Sequence, residues 1–113
     1  MGEDEAQYVK PQVERRQYRR AQIVAQVRCE ASGHKQLLVT RDISAGGLFL
    51  RSPKPLPSGA EVELSFHLHA NDPLLSCRGT VVNSIPGRGM GVEFRELDPT
   101  IRQALEKFVD ESL

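Results

Sequence analysis

The sequence predicts an all-β domain with a C-terminal helix, folded as a six-stranded antiparallel β-barrel. Six short segments alternate between apolar and polar residues with a period close to two, which is typical of half-buried strands. Clusters of glycine, proline, asparagine and aspartate separate these segments, as expected for turns between antiparallel strands. Closure into a barrel would leave no strand edge exposed. The length of 113 residues fits one domain.

The first three predicted strands lie between residues 21 and 50. Residues 21–30 alternate between apolar and polar side chains and predict the first strand. A turn then leads into a second strand at 36–40, so the two strands should form a hairpin. Residues 42–47 interrupt the pattern, and a short third strand resumes it at 48–50.

The other three strands follow a proline-rich loop at residues 53–59. Each proline lacks an amide donor and fixes φ, so this loop can be neither helix nor central strand. Residues 61–68 then alternate cleanly and predict the fourth strand. Two more turns separate a fifth strand at 75–85 from a sixth at 90–94.

The last segment changes to a helical period. Asp98 can cap the helix N-terminus, and Pro99 suits its first position. Four apolar residues share one helical face: Ile101, Leu105, Phe108 and Val109. We expect this amphipathic helix to cover part of the apolar barrel wall.

The composition indicates a soluble globular protein without a dominant charge. Hydrophobic residues make up 39% of the chain and charged residues 27%, which is too apolar for a disordered chain. Fifteen Lys and Arg balance fifteen Asp and Glu, so no overall field attracts nucleic acid or an anionic membrane. Any anion site must therefore be local.

The sequence also gives expectations about location and redox state. No segment has the apolar core of a signal peptide or of a membrane span, so we expect a cytoplasmic protein without membrane insertion. Cys29 and Cys77 lie far apart within apolar alternation, and we interpret both as free core thiols. A disulfide is the alternative, which a reducing compartment would disfavour.

Arginine is concentrated directly before the first strand. Arg15, Arg16, Arg19 and Arg20 place four guanidinium groups within six residues. A solvated basic tail is one explanation. The use of arginine without lysine favours the other, because a guanidinium matches phosphate oxygens and the O6/N7 edge of guanine.

A second unusual segment, residues 42–47, follows the second strand. Gly46 and Gly47 would permit positive φ and close backbone approach, Ser44 can donate and accept, and Asp42 can accept from the N–H edge of guanine. The same residues could instead form only an Asx or Ser turn with a glycine bulge.

Together the two segments resemble the motifs of the PilZ domain family. Arg16 and Arg20 match RxxxR, and residues 42–47, Asp-Ile-Ser-Ala-Gly-Gly, match [D/N]xSxxG. The resemblance continues through Gly-Val-Glu-Phe at 91–94 and the closing helix, so it covers roughly residues 14 to 110. It implies a domain at 14–113 preceded by a flexible tail at 1–13.

The resemblance also implies a ligand, cyclic di-GMP, held against the outer surface of the barrel. RxxxR would engage phosphate and guanine, and the second motif a guanine edge. An arginine directly before RxxxR goes with binding of an intercalated ligand pair in PilZ relatives. The implied ligand-binding residues are Arg15, Arg16, Arg20, Asp42, Ser44 and Gly47.

The function expected from this resemblance is a receptor or adaptor that is not an enzyme. Ligand would order the N-terminal arginine arm, residues 15–20, and an unidentified protein partner would recognise the change. The alternative is a nucleotide-independent protein-interaction module in motility or secretion. We expect neither a cofactor nor a metal, because His67 and His69 share a strand face without an identifiable third ligand. Single-stranded nucleic acid is disfavoured, since four Phe, two Tyr and no Trp offer few stacking rings.

Overall fold

The structure is a computed structural model that describes residues 18–113. Six strands form a closed antiparallel barrel in the order β1-β2-β3-β6-β5-β4, and a C-terminal helix follows. The predicted fold class is therefore confirmed. The elements are β1 (Gln26–Ala31), β2 (His34–Ile43), β3 (Gly47–Arg51), β4 (Glu61–Phe66), β5 (Leu75–Ile85), β6 (Gly89–Arg95) and α1 (Pro99–Ser112).

Inward-facing side chains of all six strands fill the barrel. One cross-strand row shows the arrangement: Ile43, Leu48, Val92 and Val81 pair in register across β2, β3, β6 and β5, and all are buried. Burying one such side chain contributes roughly 1.5–3 kcal/mol. The residues on either side of this row in each strand point outward, because side chains alternate along a strand.

The C-terminal helix begins and packs as its sequence predicts. The Asp98 side chain accepts a hydrogen bond of 2.7 Å from the Thr100 amide, and Pro99 is the first helical residue. Leu105, Phe108 and Val109 are buried. No helix within 18–113 has the length and apolar character needed to cross a bilayer.

The first two strands differ from the prediction. β1 begins at Gln26, not at residue 21, because the Thr40 hydroxyl hydrogen-bonds to the amide of Ala25 and the carbonyl of Ile23. Ala21 makes only an isolated bridge to Ile43. β2 continues past the predicted break at residue 42 because a register shift follows Thr40 and restores its pairing with β3.

The two cysteines are free thiols, as predicted. Cys29 of β1 and Cys77 of β5 both pair in register with Leu64 of β4, which lies between them. Two strand spacings separate their Cα atoms by about 9 to 10 Å, beyond the reach of a disulfide. Burial raises the pKa of both thiols, that of Cys77 to about 11.

Candidate ligand-binding site

A wide cavity lies on the outer wall of the barrel. It has a volume of about 720 Å³ and is called the outer-wall cavity below. Its floor follows an outward-facing row in which Asp42, Phe49, Gly91 and Asn83 pair across β2, β3, β6 and β5. Fifteen residues line it: Tyr18, Arg20, Arg41, Ser44, Gly46, Gly47, Leu48, Phe49, Val82, Asn83, Gly91, Val92, Glu93, Phe94 and Arg102.

Two β-bulges border this row. β2 and β3 shift register between Thr40 and Asp42, which leaves Arg41 as the extra residue. β5 and β6 shift between Val81 and Asn83, which leaves Val82 as the extra residue. Bulges redirect side chains and occur often beside functional sites. Here both extra residues line the outer-wall cavity.

Asp42 organises the cationic side of the cavity. Its side chain is only 8% exposed. One carboxylate oxygen accepts from the Nε of Arg20 at 2.9 Å, and the other accepts from the Nε of Arg41 at 2.8 Å. Charge-assisted bonds of this length are among the stronger hydrogen bonds in proteins. The carboxylate therefore holds two guanidinium groups side by side.

Arg41 and Phe49 form a stacked pair within the cavity. The guanidinium carbon of Arg41 lies 4.0 Å from the centroid of the Phe49 ring. This cation–π contact adds to the Asp42 ion pair and leaves the Arg41 side chain half exposed. A planar cation supported in this way can present N–H donors to an anion in the cavity.

Ser44 is buried in the turn between β2 and β3. Its hydroxyl accepts from the amides of Gly46 and Gly47 at 3.1 and 3.2 Å and donates to the Gly47 carbonyl at 3.2 Å. These bonds are those of a Ser turn, the structural alternative that the sequence left open. The hydroxyl thus shapes the turn that borders the cavity.

Gly46 and Gly47 are required for close approach, not for positive φ. A Cβ on Gly46 would lie 2.5 Å from the Tyr18 ring, and one on Gly47 would lie 2.2 Å from the Val92 carbonyl oxygen. Neither glycine has positive φ, so of the two properties that the sequence analysis considered only close approach is used here. The backbone of β6 and the Tyr18 ring therefore both lie directly against the turn.

The described part of the arginine arm is attached to the helix and the sheet. The Tyr18 hydroxyl accepts from Arg102 of α1 at 2.7 Å, and Arg19 pairs with Asp110 of α1 at 2.9 Å. Arg20 pairs with Asp42. Of these residues, Tyr18, Arg20 and Arg102 line the cavity, so the arm and the first half of α1 meet at its border.

The structure brings together four of the six predicted site residues. Arg20, Ser44 and Gly47 line the outer-wall cavity, and Asp42 lies directly behind the two arginines. Arg15 and Arg16, like the tail at 1–13, lie outside the described residues.

Most of the lining residues were not among the predicted site residues, and four of those are central to the site as described here: Arg41, Phe49, Asn83 and Arg102. Arg41 directly precedes the second motif, and its position was the one available signal. The others depend on strand register and on helix docking, which the sequence pattern does not give.

The two histidines considered as metal ligands are used elsewhere. β4 ends at Phe66, and both rings then contact Asp72: His67 its carbonyl and His69 its carboxylate, each at 2.8 Å. Within residues 18–113, no three His, Cys, Asp or Glu side chains are grouped as metal ligands.

Solved structures with the same fold come from several bacteria. The Bacillus subtilis inhibitor of motility, MotI/DgrA, aligns with a TM-score of 0.76 and 23% identity over 85% of this chain and 50% of that chain. The chain thus spans about half the length of that protein. The PilZ domain of Escherichia coli YcgR, solved with c-di-GMP, aligns with a TM-score of 0.71 and 15% identity over 87% of this chain and 91% of that domain.

A third structure, Borreliella burgdorferi PlzA in complex with c-di-GMP, gives a TM-score of 0.68 and 14% identity over 93% of this chain and 45% of that chain. At these identities the likeness concerns the fold. A search of curated proteins found no match. The profile of the PilZ domain, however, matches residues 14–111. The chain therefore belongs to the PilZ domain family.

Proposed function

We propose that this protein is a receptor for cyclic di-GMP and that the ligand binds in the outer-wall cavity. The observation that carries the proposal is the charge of the described lining, which holds three guanidinium groups, those of Arg20, Arg41 and Arg102, and one carboxylate, that of Glu93. The Asp42 carboxylate lies behind Arg20 and Arg41, so these cationic groups still outnumber the acidic ones by three to two. In a chain with balanced charge, this is a local concentration of cations of the kind that an anion site needs. A volume of about 720 Å³ also falls within the usual range for small-molecule sites.

The proposed roles follow from the chemistry of the ligand. Two phosphates and two guanines ask for planar donors, which Arg20 and Arg41 supply, and Arg16 would add another from outside the described residues. Asp42 would hold the guanidinium groups of Arg20 and Arg41 and would offer its remaining lone pairs to a guanine N–H edge. Phe49 gives the floor an apolar surface below Arg41. The presence of c-di-GMP in the YcgR and PlzA structures supports cyclic di-GMP as the ligand.

The output would pass through the arginine arm to a protein partner. Arg20 contacts the cavity, and its neighbours Tyr18 and Arg19 contact α1. A ligand whose phosphate attracts Arg20 would therefore change the contacts that Tyr18 and Arg19 make with the helix. We propose that this change in surface is what a partner recognises.

Isothermal titration calorimetry with cyclic di-GMP tests the proposal, with linear GMP as a ligand that lacks the second guanine and phosphate. We expect saturable binding of cyclic di-GMP and much weaker binding of GMP. The matched protein control is Arg28→Ala, an exposed arginine of β1 outside the cavity. No binding by folded wild-type protein would contradict the receptor function and favour the nucleotide-independent interaction module.

A further inference from the structure

Asn83 lies at the end of the cross-strand row opposite Asp42 and its partners, Arg20 and Arg41. It follows the bulge residue Val82 in β5, and its Cα pairs with Gly91 of β6. Both Asn83 and Gly91 line the outer-wall cavity, and Asn83 is exposed there. The sequence pattern gave this residue no role, and neither motif of the family includes it.

The orientation of the Asn83 amide is fixed by the backbone. The Gly91 amide donates to its Oδ1 at 2.9 Å. Only the carbonyl oxygen of an asparagine side chain can accept such a bond, so its NH₂ group must occupy the other branch. A Cβ on Gly91 would lie 2.6 Å from Oδ1 and 3.8 Å from Nδ2, so the glycine lets the oxygen approach and the NH₂ group is directed away.

The free branch of the amide is therefore a hydrogen-bond donor. Asparagine can bind adenine with both branches, its oxygen accepting from N6 and its NH₂ donating to N7. In this protein the oxygen is bonded to the Gly91 amide and turned toward the β6 backbone, so the NH₂ branch is the one directed toward a base. A lone donor suits guanine, whose O6 and N7 both accept on the same edge, better than adenine, whose N6 amino group beside N7 is itself a donor.

We propose that Asn83 is a specificity-determining residue that donates to the O6/N7 edge of a guanine in the outer-wall cavity and disfavours adenine. This inference rests on the proposed function, because it assigns the base preference of the same site. Asp42 and Asn83 would then read complementary features of guanine, an N–H edge and an acceptor edge, from opposite ends of one cross-strand row.

Substitution of Asn83→Asp tests the inference, because aspartate keeps an acceptor for the Gly91 amide and replaces the donor by a second acceptor. Affinities for cyclic di-GMP and cyclic di-AMP are measured by competition against fluorescent cyclic di-GMP. The wild type should prefer cyclic di-GMP, and the variant should lose about tenfold or more of that preference. Asn71→Asp, the same change in an exposed turn outside the cavity, should leave the preference unchanged.

The possible results separate the inference from the function. If Asn83→Asp weakens both ligands equally, the added charge acts on phosphate alone and the inference is wrong. If cyclic di-AMP is too weak to measure, Asn83→Leu decides, since it should weaken cyclic di-GMP about five- to twentyfold. An unchanged affinity in a variant with wild-type thermal stability would overturn the inference. Wild-type protein that binds neither dinucleotide would contradict the proposed function itself.

Discussion

At the scale of single residues, Asp42 holds two of the three arginines that line the described part of the outer-wall cavity. A carboxylate that is 8% exposed would be costly to bury alone, and the guanidinium groups of Arg20 and Arg41 offset that cost. The same ion pairs hold both guanidinium groups in place before a ligand binds. Such preorganisation lowers the entropy that binding would otherwise cost.

Arg20 should contribute directly to ligand affinity. Arg20→Ala removes a charge-assisted hydrogen bond, which is worth about 1.5–3 kcal/mol, so we expect a loss of roughly ten- to a hundredfold in affinity for cyclic di-GMP. The same loss is expected for Arg16→Ala. Calorimetry gives the affinities, and Arg28→Ala serves as the control outside the cavity. Titration curves identical to the wild type for both variants would refute this assignment of the phosphate site.

Asp42 should act on guanine as well as on the arginines. We expect Asp42→Ala to weaken cyclic di-GMP more than cyclic di-AMP, because guanine offers the carboxylate paired N1–H and N2–H donors, whereas adenine offers only its N6 amino group. The part of the loss common to both ligands measures the loosening of Arg20 and Arg41. If the two losses are equal, Asp42 acts only by holding these arginines. Thermal unfolding of the variant controls for damage to the barrel.

At the scale of elements, the bulges in β2 and β5 explain where sequence reasoning succeeded and where it stopped. Strand β5 and the start of α1 were predicted to the residue, because clear turns and a proline mark their ends. The end of β2 was not, because a bulge at Arg41 lets pairing continue beyond the apparent break. The row from Asp42 to Asn83 joins four strands, and its register depends on both bulges. Local periodicity carries no such information.

The arginine arm is the element in which we expect a change of order. Amide exchange at residues 15–20 should slow on addition of cyclic di-GMP, because a bound ligand tethers a segment with few apolar anchors. The Ala21 amide already donates to the Ile43 carbonyl at 2.9 Å and should be protected with or without ligand. Hydrogen exchange followed by mass spectrometry or NMR measures both regions. Equally slow exchange of the arm without ligand would mean that it is preformed and that the switch lies elsewhere.

At the scale of the whole molecule, net neutrality conceals two distinct regions. The outer-wall cavity concentrates cations, whereas the interior of the barrel is apolar and includes the Cys29 thiol. Cys77 packs against the same core from β5. The buried thiols therefore place titratable groups in the core, away from the charged residues of the cavity.

Alkaline pH should destabilise the protein through Cys77. Its pKa is raised by burial to about 11, whereas the unfolded thiol titrates near 9, so the folded state retains the proton longer. The contribution of the protonated Cys77 thiol to the free energy of unfolding is complete below about pH 9. It is lost as pH rises toward about 11, and the free energy of unfolding then falls by no more than about 1.4 kcal/mol per pH unit. Urea unfolding at pH 8 and pH 10.5 should show a smaller loss for Cys77→Ala than for the wild type. The same loss in both proteins would contradict this contribution.

The number of ligands per molecule is expected to be two, and Arg15 should decide it. Cyclic di-GMP can associate as an intercalated pair, whose second copy presents phosphate and guanine edges beyond the reach of Arg16 and Arg20. An additional guanidinium directly before RxxxR would bind those edges, and this chain has arginine at that position.

Calorimetry should therefore give a stoichiometry of two for the wild type and a value falling toward one for Arg15→Leu. The first ligand would still bind through Arg16, Arg20 and Asp42, so its affinity should change little. Arg28→Leu makes the same substitution in an exposed residue of β1, outside the cavity, and should keep two ligands. One ligand in the wild type, or two in Arg15→Leu, would refute the role of Arg15, because an exposed arginine that contributes nothing gives either result. The receptor function would stand in both cases, since it depends on the first ligand alone.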